Sequence, residues 1–128
     1  NKDVLQDYQK ALAWFRKAAN QGHASSQFEL ASMYAQGLEV TKNPTESAKW
    51  LKESAKQGNA EAQFFLGLMY SEGDGVPQDY VTALMWFNLS ASQNNLMARK
   101  EKDNIVKQMT SKQREEARRL TYEWKPQK

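Results

Sequence analysis

Three tryptophans recur at one interval: Trp14, Trp50 and Trp86 stand 36 residues apart. Gly22 and Gly58 each follow their tryptophan by eight residues, and Asn94 takes the third equivalent place. Laying residues 22–37 over 58–73 without a gap gives 8 identities in 16 positions, among them Gln27/Gln63, Phe28/Phe64, Leu30/Leu66 and Met33/Met69. Laying 7–22 over 79–94 gives another 8 in 16, including Asp7/Asp79, Tyr8/Tyr80, Trp14/Trp86 and Phe15/Phe87. Two such overlays in one short chain are not coincidence. Self-similarity at this period marks units that cannot bury their apolar faces alone and do so by stacking on one another.

Each unit reads as two helices. Over 60–72, Ala62, Leu66, Met69 and Tyr70 fall at i, i+4, i+7 and i+8, the spacing of one helical face. Gly73 then supplies a left-handed stop, and Gly75 and Pro77 hold the chain out of helix. The second helix carries Ala83, Leu84, Trp86, Phe87 and Ala91. Its start is clearest in the sister unit, where Asn43 suits an N-cap, Pro44 the first helical position and Glu46 the third. Register makes Asp79 and Asp7 the equivalent caps. Small residues such as Ala11, Ala48, Ala55, Ala62 and Ala91 let helices approach, and the aromatics fill the remaining space. Trp50, in the middle unit, is expected in the core, and its truncation to alanine to cost on the order of 3–5 kcal/mol.

The two ends differ. Residues 1–22 supply only a second helix, so Tyr8, Trp14 or Phe15 should be partly uncovered. Toward the other end Arg99, Lys100 and Lys102 replace Gln63, Phe64 and Leu66, the polar outer helix with which a solenoid closes. Thr110-Ser111-Lys112-Gln113 spells a capping box for a last helix whose inward stripe is Ala117, Leu120, Thr121 and Trp124. The expectation is about seven helices and no strand in one domain.

Composition removes several classes. The 128 residues include no cysteine, so neither disulfides nor thiolate metal ligation is available. No apolar run approaches the roughly 18 residues of a membrane span, and no leader-like segment opens the chain, so membrane insertion is not expected. The net charge of +3 divides unevenly. Residues 1–98 hold 8 Lys and Arg against 10 Asp and Glu, and residues 99–128 hold 10 against 5. Acids interleave the basic segment, and no aromatic-studded basic groove accompanies it, so it reads as a solvated helical face and not as a nucleic-acid site.

These residues resemble the Sel-one-like repeat (SLR) family, a relative of the tetratricopeptide repeat. Residues 60–80, with Leu66-Gly67-Leu68-Met69-Tyr70 and Gly73-Asp74-Gly75-Val76 at their centre, match the family pattern nearly throughout. The first full repeat departs at Ala31, where glycine is usual, and at Leu38-Glu39, where the glycine loop is degraded. The segment from Met109 to Pro126 looks like the C-terminal cap of small bacterial members. The resemblance implies an all-α, right-handed superhelical solenoid of helix pairs: residues 4–22 the second helix of a truncated repeat, 23–58 and 59–94 full repeats, 95–128 capping helices. It implies a non-enzymatic scaffold or adaptor without a cofactor, whose concave face engages a protein or peptide. Many bacterial members are exported or belong to the cell envelope, so an exported or periplasmic location is expected over a cytoplasmic one on that ground alone.

In such stacks the first helix of each unit lines the concave groove. With Leu66-Gly67 as anchor, the groove-facing candidates are Glu61, Phe64, Leu68, Ser71 and Glu72, and one repeat earlier Ser25, Phe28, Ser32, Ala35 and Gln36. Phe64 and Leu68, four apart, share a face and with Phe28 would form an apolar strip. The competing placement is that Phe28 and Phe64 pack between repeats, as aromatics at helical spacing commonly do. His23 is the only histidine and lacks partners for catalysis or metal binding, so it reads as a surface residue. Gly73-Asp74-Gly75 lacks the flanking residues of a phosphate or calcium loop and reads as a helix stop and turn. Asn88-Leu89-Ser90 is formally a glycosylation sequon, but it falls inside a helix. Two other functions compete with the adaptor: a structural module, self-associating through the uncovered N-terminal helix or belonging to a longer repeat protein, and, more remotely, a cell-envelope enzyme. The last has only Glu61, Glu72, Asp74 and Asp79 to offer, with nothing pairing them as acid and base.

Overall fold

The computed structural model describes residues 2–37 and 40–127; the degraded loop at Leu38-Glu39 lies outside them. The described residues form seven helices and no strand: α1 (Lys2–Asn20), α2 (Ala24–Gln36), α3 (Pro44–Lys56), α4 (Ala60–Glu72), α5 (Tyr80–Ser92), α6 (Leu96–Val106) and α7 (Ser111–Glu123). Helices α2 and α3 pack as one pair and α4 and α5 as the next, while α1 leans on α2 and α3 on α4. The fold is an all-α superhelix of stacked helix pairs.

Helix boundaries follow the 36-residue register. Asn43 accepts from the Glu46 N–H at 3.1 Å and Asp79 from the Thr82 N–H at 3.1 Å, each closing an otherwise unpaired donor of the first turn. Asn59 and Asn95 cap α4 and α6 in the same way, and His23, their register equivalent, accepts on Nδ1 from the Ser26 N–H at 3.4 Å to cap α2. Thr110 and Gln113 complete a reciprocal capping box at the start of α7. At the far ends, Asn94 adopts φ +71° where Gly22 and Gly58 adopt +89° and +100°, so a side chain that tolerates the left-handed region holds the third equivalent corner. Asp7 departs from the register: it lies inside α1, not at its start. The glycine turn that forces a new helix at Asp79 has no counterpart ahead of Asp7, and Leu5-Gln6, good helix formers, let the helix run through.

Apolar burial runs as a continuous seam. Leu30 and Met33 of α2 meet Leu12 and Ala19 of α1. Ala48, Leu51 and Ala55 of α3 meet Ala62, Leu66 and Met69 of α4, with Trp86 and Leu89 of α5. Phe64, Phe87 and Ala91 meet Ala98 and Ile105 of α6 and Ala117 of α7. Within the seam runs a polar ladder. Gln57 donates to the Gln27 side-chain oxygen at 2.8 Å, and Gln93 to that of Gln63 at 2.9 Å, 36 residues on. Gln27 and Gln63 in turn donate to the carbonyls of Ala19 and Ala55 in the preceding unit. Ser54 and Ser90 donate to the Ala24 and Ala60 carbonyls at 2.8 and 2.7 Å. Each of these groups would cost about 1–3 kcal/mol if buried unpaired, so the ladder penalises any other register between units.

The equivalent tryptophans differ in cover. Trp86 is 7 % exposed because Trp124, just past α7, stacks edge-on against it at 6.2 Å. Trp14 is 68 % exposed. Trp50 is only partly buried, less than its central position in the chain implies, because no described residue plays the part of Trp124 over it; the Lys49 ammonium lies 5.3 Å from its ring instead. After Trp124 the chain crosses back over the stack, and the Gln127 N–H donates to the Lys56 carbonyl at 2.7 Å.

Candidate functional site

Helices α2 and α4 do not pack on each other closely. Between them, floored by α3, lies a groove of about 340 Å³. Small side chains on α2 (Ala31, Ser32, Ala35) and Ser47 on α3 open it, and Leu51, Leu68 and Met69 line its depth. Phe28 and Phe65 face each other across it with ring centroids 5.8 Å apart. At one end stand Gln36, Glu72 and Asp74, and among the described residues no basic side chain lines it. Asp74 is held there by its turn: its N–H donates to the Met69 carbonyl at 2.9 Å, and Gly75, at φ +76°, packs so tightly against the Pro44 carbonyl that a Cβ has no room. The site is therefore an apolar, aromatic-walled slot with an acidic end, concave and partly preformed, as recognition grooves commonly are.

Of the ten residues that the sequence places on this face, the groove gathers Phe28, Ser32, Ala35, Gln36, Leu68 and Glu72. Ser25 and Glu61 are exposed in the first turns of α2 and α4 but lie off the groove, and Ser71 turns its hydroxyl back onto the Leu68 carbonyl at 2.9 Å. Phe64 is a correction. It is 4 % exposed and packs among Phe87, Ala98 and Ile105, because α6 covers the face on which it lies. The groove aromatic is its neighbour Phe65, 44 % exposed. The sequence does carry a signal for it: register sets Phe65 at the position of Glu29 and Glu101, where an apolar residue has no core to enter. Ala31, Ser47, Leu51, Met69 and Asp74 are the other lining residues, which the groove-facing spacing does not single out.

The remaining polar groups do not converge. Asp79 accepts from the Thr82 backbone and hydroxyl, and Glu61 sits at the opposite end of α4 from Glu72. His23 shares a 2.8 Å contact with the Ser26 hydroxyl and is exposed. Asn88 lies inside α5 and donates to the Thr121 hydroxyl at 3.1 Å, with Ser90 buried. Among the described residues no group of three or more His, Cys, Asp and Glu is placed to hold a metal ion, and no helix is long and apolar enough to cross a membrane. A wider recess of about 660 Å³ opens between α5, α6 and α7, edged by Lys102, Arg114 and Arg118. The charges of α7 are largely held along the helix itself: Arg118 bonds Glu115 at 3.2 Å, and Arg119 bonds both Glu116 and Glu123. Hydrogen bonding to Arg119 lowers the Glu116 carboxyl below its ordinary value, and Glu116 and Glu123 raise the guanidinium.

Comparison with known proteins agrees with the fold. The Sel1 repeat model matches residues 2–23, 24–59 and 60–95. Among solved structures, the chain is similar to c5321, a protective antigen present in uropathogenic Escherichia coli strains and displaying an SLR fold, at 38 % identity and a TM-score of 0.86 over 90 % of this chain. It spans 25 % of that protein. It is also similar to a Sel1 repeat protein from Oxalobacter formigenes, at 38 % identity and a TM-score of 0.70, covering 72 % of this chain and 69 % of that one. Comparison with curated proteins gave no match. Repeats of this kind generally serve as non-enzymatic scaffolds for protein–protein interaction. With three consecutive matches over most of its length, the chain belongs to the Sel1 repeat family.

Proposed function

We propose that the protein is an adaptor whose groove between α2 and α4 receives a segment of another protein: one apolar side chain seats in the slot beside the contacting Phe28–Phe65 pair, and a Lys or Arg meets Glu72 and Asp74. The observation that supports this reading above all is Phe65, a large apolar side chain left open to solvent, stacked on Phe28 at the mouth of an apolar slot. An exposed phenylalanine held against a half-buried one beside a ready cavity lowers the ordering cost of docking, and burying one anchor contributes about 1.5–3 kcal/mol. The acidic end adds selection among partners and speeds encounter. A groove of this size engages a short segment, with affinity of about the micromolar class.

Peptide display on the purified protein tests the reading. Selected peptides should carry an apolar anchor next to a basic residue. Their binding should fall more than about tenfold in Phe65→Glu, the loss of one anchor's burial. Tyr122→Glu, on the exposed surface of α7, should leave it unchanged. Peptides that bind Phe65→Glu as well as the parent refute the groove as the site.

A further inference from the structure

Helices α6 and α7 break the pairing kept by the units before them. Helices α2 and α3 lie along each other, as do α4 and α5, whereas α7 lies along α5 and barely touches α6. Lys102 and Asp103 stand at the register positions of Leu66 and Gly67, so α6 has no apolar crossing to offer a partner. The recess of about 660 Å³ between α5, α6 and α7 occupies the place where such a crossing would lie. Leu84, buried on α5, and Val106 give it an apolar wall. Around them stand three cations, Lys102, Arg114 and Arg118, against one carboxylate, Glu115. Leu30 and Leu66 are fully buried, but Lys102, in their register, is only partly so, and it forms no ion pair with a described residue. The described tail after Trp124 runs to α3 and does not line the recess.

Asn88 also lines the recess, and its amide is oriented by its neighbours. The Thr121 hydroxyl donates to the Ala117 carbonyl at 2.8 Å, so it accepts from Asn88 Nδ2, at 3.1 Å. This leaves Asn88 Oδ1 buried with no hydrogen-bond partner among the described residues. A buried carbonyl oxygen in that state calls for a donor.

We infer that this recess is a second docking site, for an acidic segment of a partner protein. One apolar side chain rests on Leu84 and Val106, and flanking Asp or Glu side chains meet Lys102 and Arg114. The excess of cations sets the sign of the partner: it attracts carboxylates and repels the basic segments proposed for the groove between α2 and α4. The apolar wall and Asn88 set its class. A phosphate group or a nucleic-acid backbone carries acceptors alone and no apolar side chain, whereas a peptide brings both the side chain and N–H donors for Asn88 Oδ1. The chain thereby holds two segments of opposite charge at once. The inference does not depend on the groove between α2 and α4.

The test titrates the purified protein into a labelled, end-blocked peptide, Gly-Glu-Asp-Leu-Glu-Asp-Gly, and follows anisotropy at ~50 mM salt. Lys102→Leu restores the residue that α2 and α4 carry at this register position, so the fold is kept, as helical ellipticity would verify. It should weaken binding at least about tenfold, and so should Arg114→Gln on the exposed side of α7. Replacing the peptide's leucine with glycine should also cost about tenfold, and Phe65→Glu in the protein should change nothing. The Asn88 side-chain amide resonances should move on saturation with the peptide. Equal binding by Lys102→Leu and Arg114→Gln overturns the inference, as does an Asn88 amide that stays in place. Binding indifferent to the peptide's leucine overturns it too, by reducing the site to diffuse charge attraction. So does capture of vesicles one-third phosphatidylserine, lost in Lys102→Leu, by a protein that ignores the peptide, which would make the recess a lipid site.

Discussion

The crossing of Gly67 and Phe87 offers a quantitative test of how the units are matched. Gly67→Ala has two opposing effects. Removing glycine from a helix interior favours the helix by about 0.8–1 kcal/mol. The new methyl, however, meets a ring that is 1 % exposed and cannot swing aside, at 2.6 Å. Overpacking of this kind costs about 1–3 kcal/mol, so the net should be a loss of about 1 kcal/mol. Phe87→Leu alone leaves a gap against Gly67 and should lose about 1–2 kcal/mol. Together the two substitutions rebuild the Ala31–Leu51 pair found one unit earlier, where both residues are buried. The double variant should therefore lie within about 1 kcal/mol of the parent, a coupling of about 1–2 kcal/mol in the favourable direction. Urea unfolding followed by helical ellipticity gives each value from the midpoint, provided the slope is unchanged. Additivity within about 0.5 kcal/mol would refute the reasoning, as would a Gly67→Ala variant that gains the full helix preference.

Truncating the equivalent tryptophans should follow their cover: Trp86→Ala should lose about 3–5 kcal/mol, Trp14→Ala less than about 1, and Trp50→Ala an intermediate amount, in the same unfolding assay. A Trp14→Ala loss equal to that of Trp86→Ala would show that exposure does not govern these sites. On α7, the stability that Glu116 draws from Arg119 should be complete above the ordinary carboxyl value of 4.5 and fade as pH falls below it through the lowered folded value. The difference in melting temperature between the parent and Glu116→Gln should then shrink between about pH 5 and pH 3 and should be smaller in ~0.5 M salt. A difference that grows toward low pH contradicts the pairing.

Much of the architecture is legible because a repeated sequence states its contacts more than once. A cap ambiguous at one unit is resolved at another, as Asn59 and Asn95 explain His23. Where the repeat stops, so does the legibility. Asp7 matches Asp79 in sequence, but a cap needs a turn before it, and none precedes Asp7. Trp124 lies outside the period, so nothing in the register foretells that it shelters Trp86 and leaves Trp50 with less. The groove is the harder case. Helical spacing defines a face but not which of two adjacent phenylalanines the next helix covers: Phe64 and Phe65 are separated by where α6 happens to pass. The better guide is the break in the pattern, a phenylalanine between the glutamates at 29 and 101.

The return of the C-terminal tail has a consequence for how the molecule comes apart. In an array joined only between neighbours, the last unit can peel while the rest stands, and unfolding proceeds from the end inward. Here Trp124 grips α5 and Gln127 reaches the end of α3, fastening the terminus two helix pairs upstream. Fraying at that end must release several contacts at once, so the C-terminal half should open as a single cooperative block.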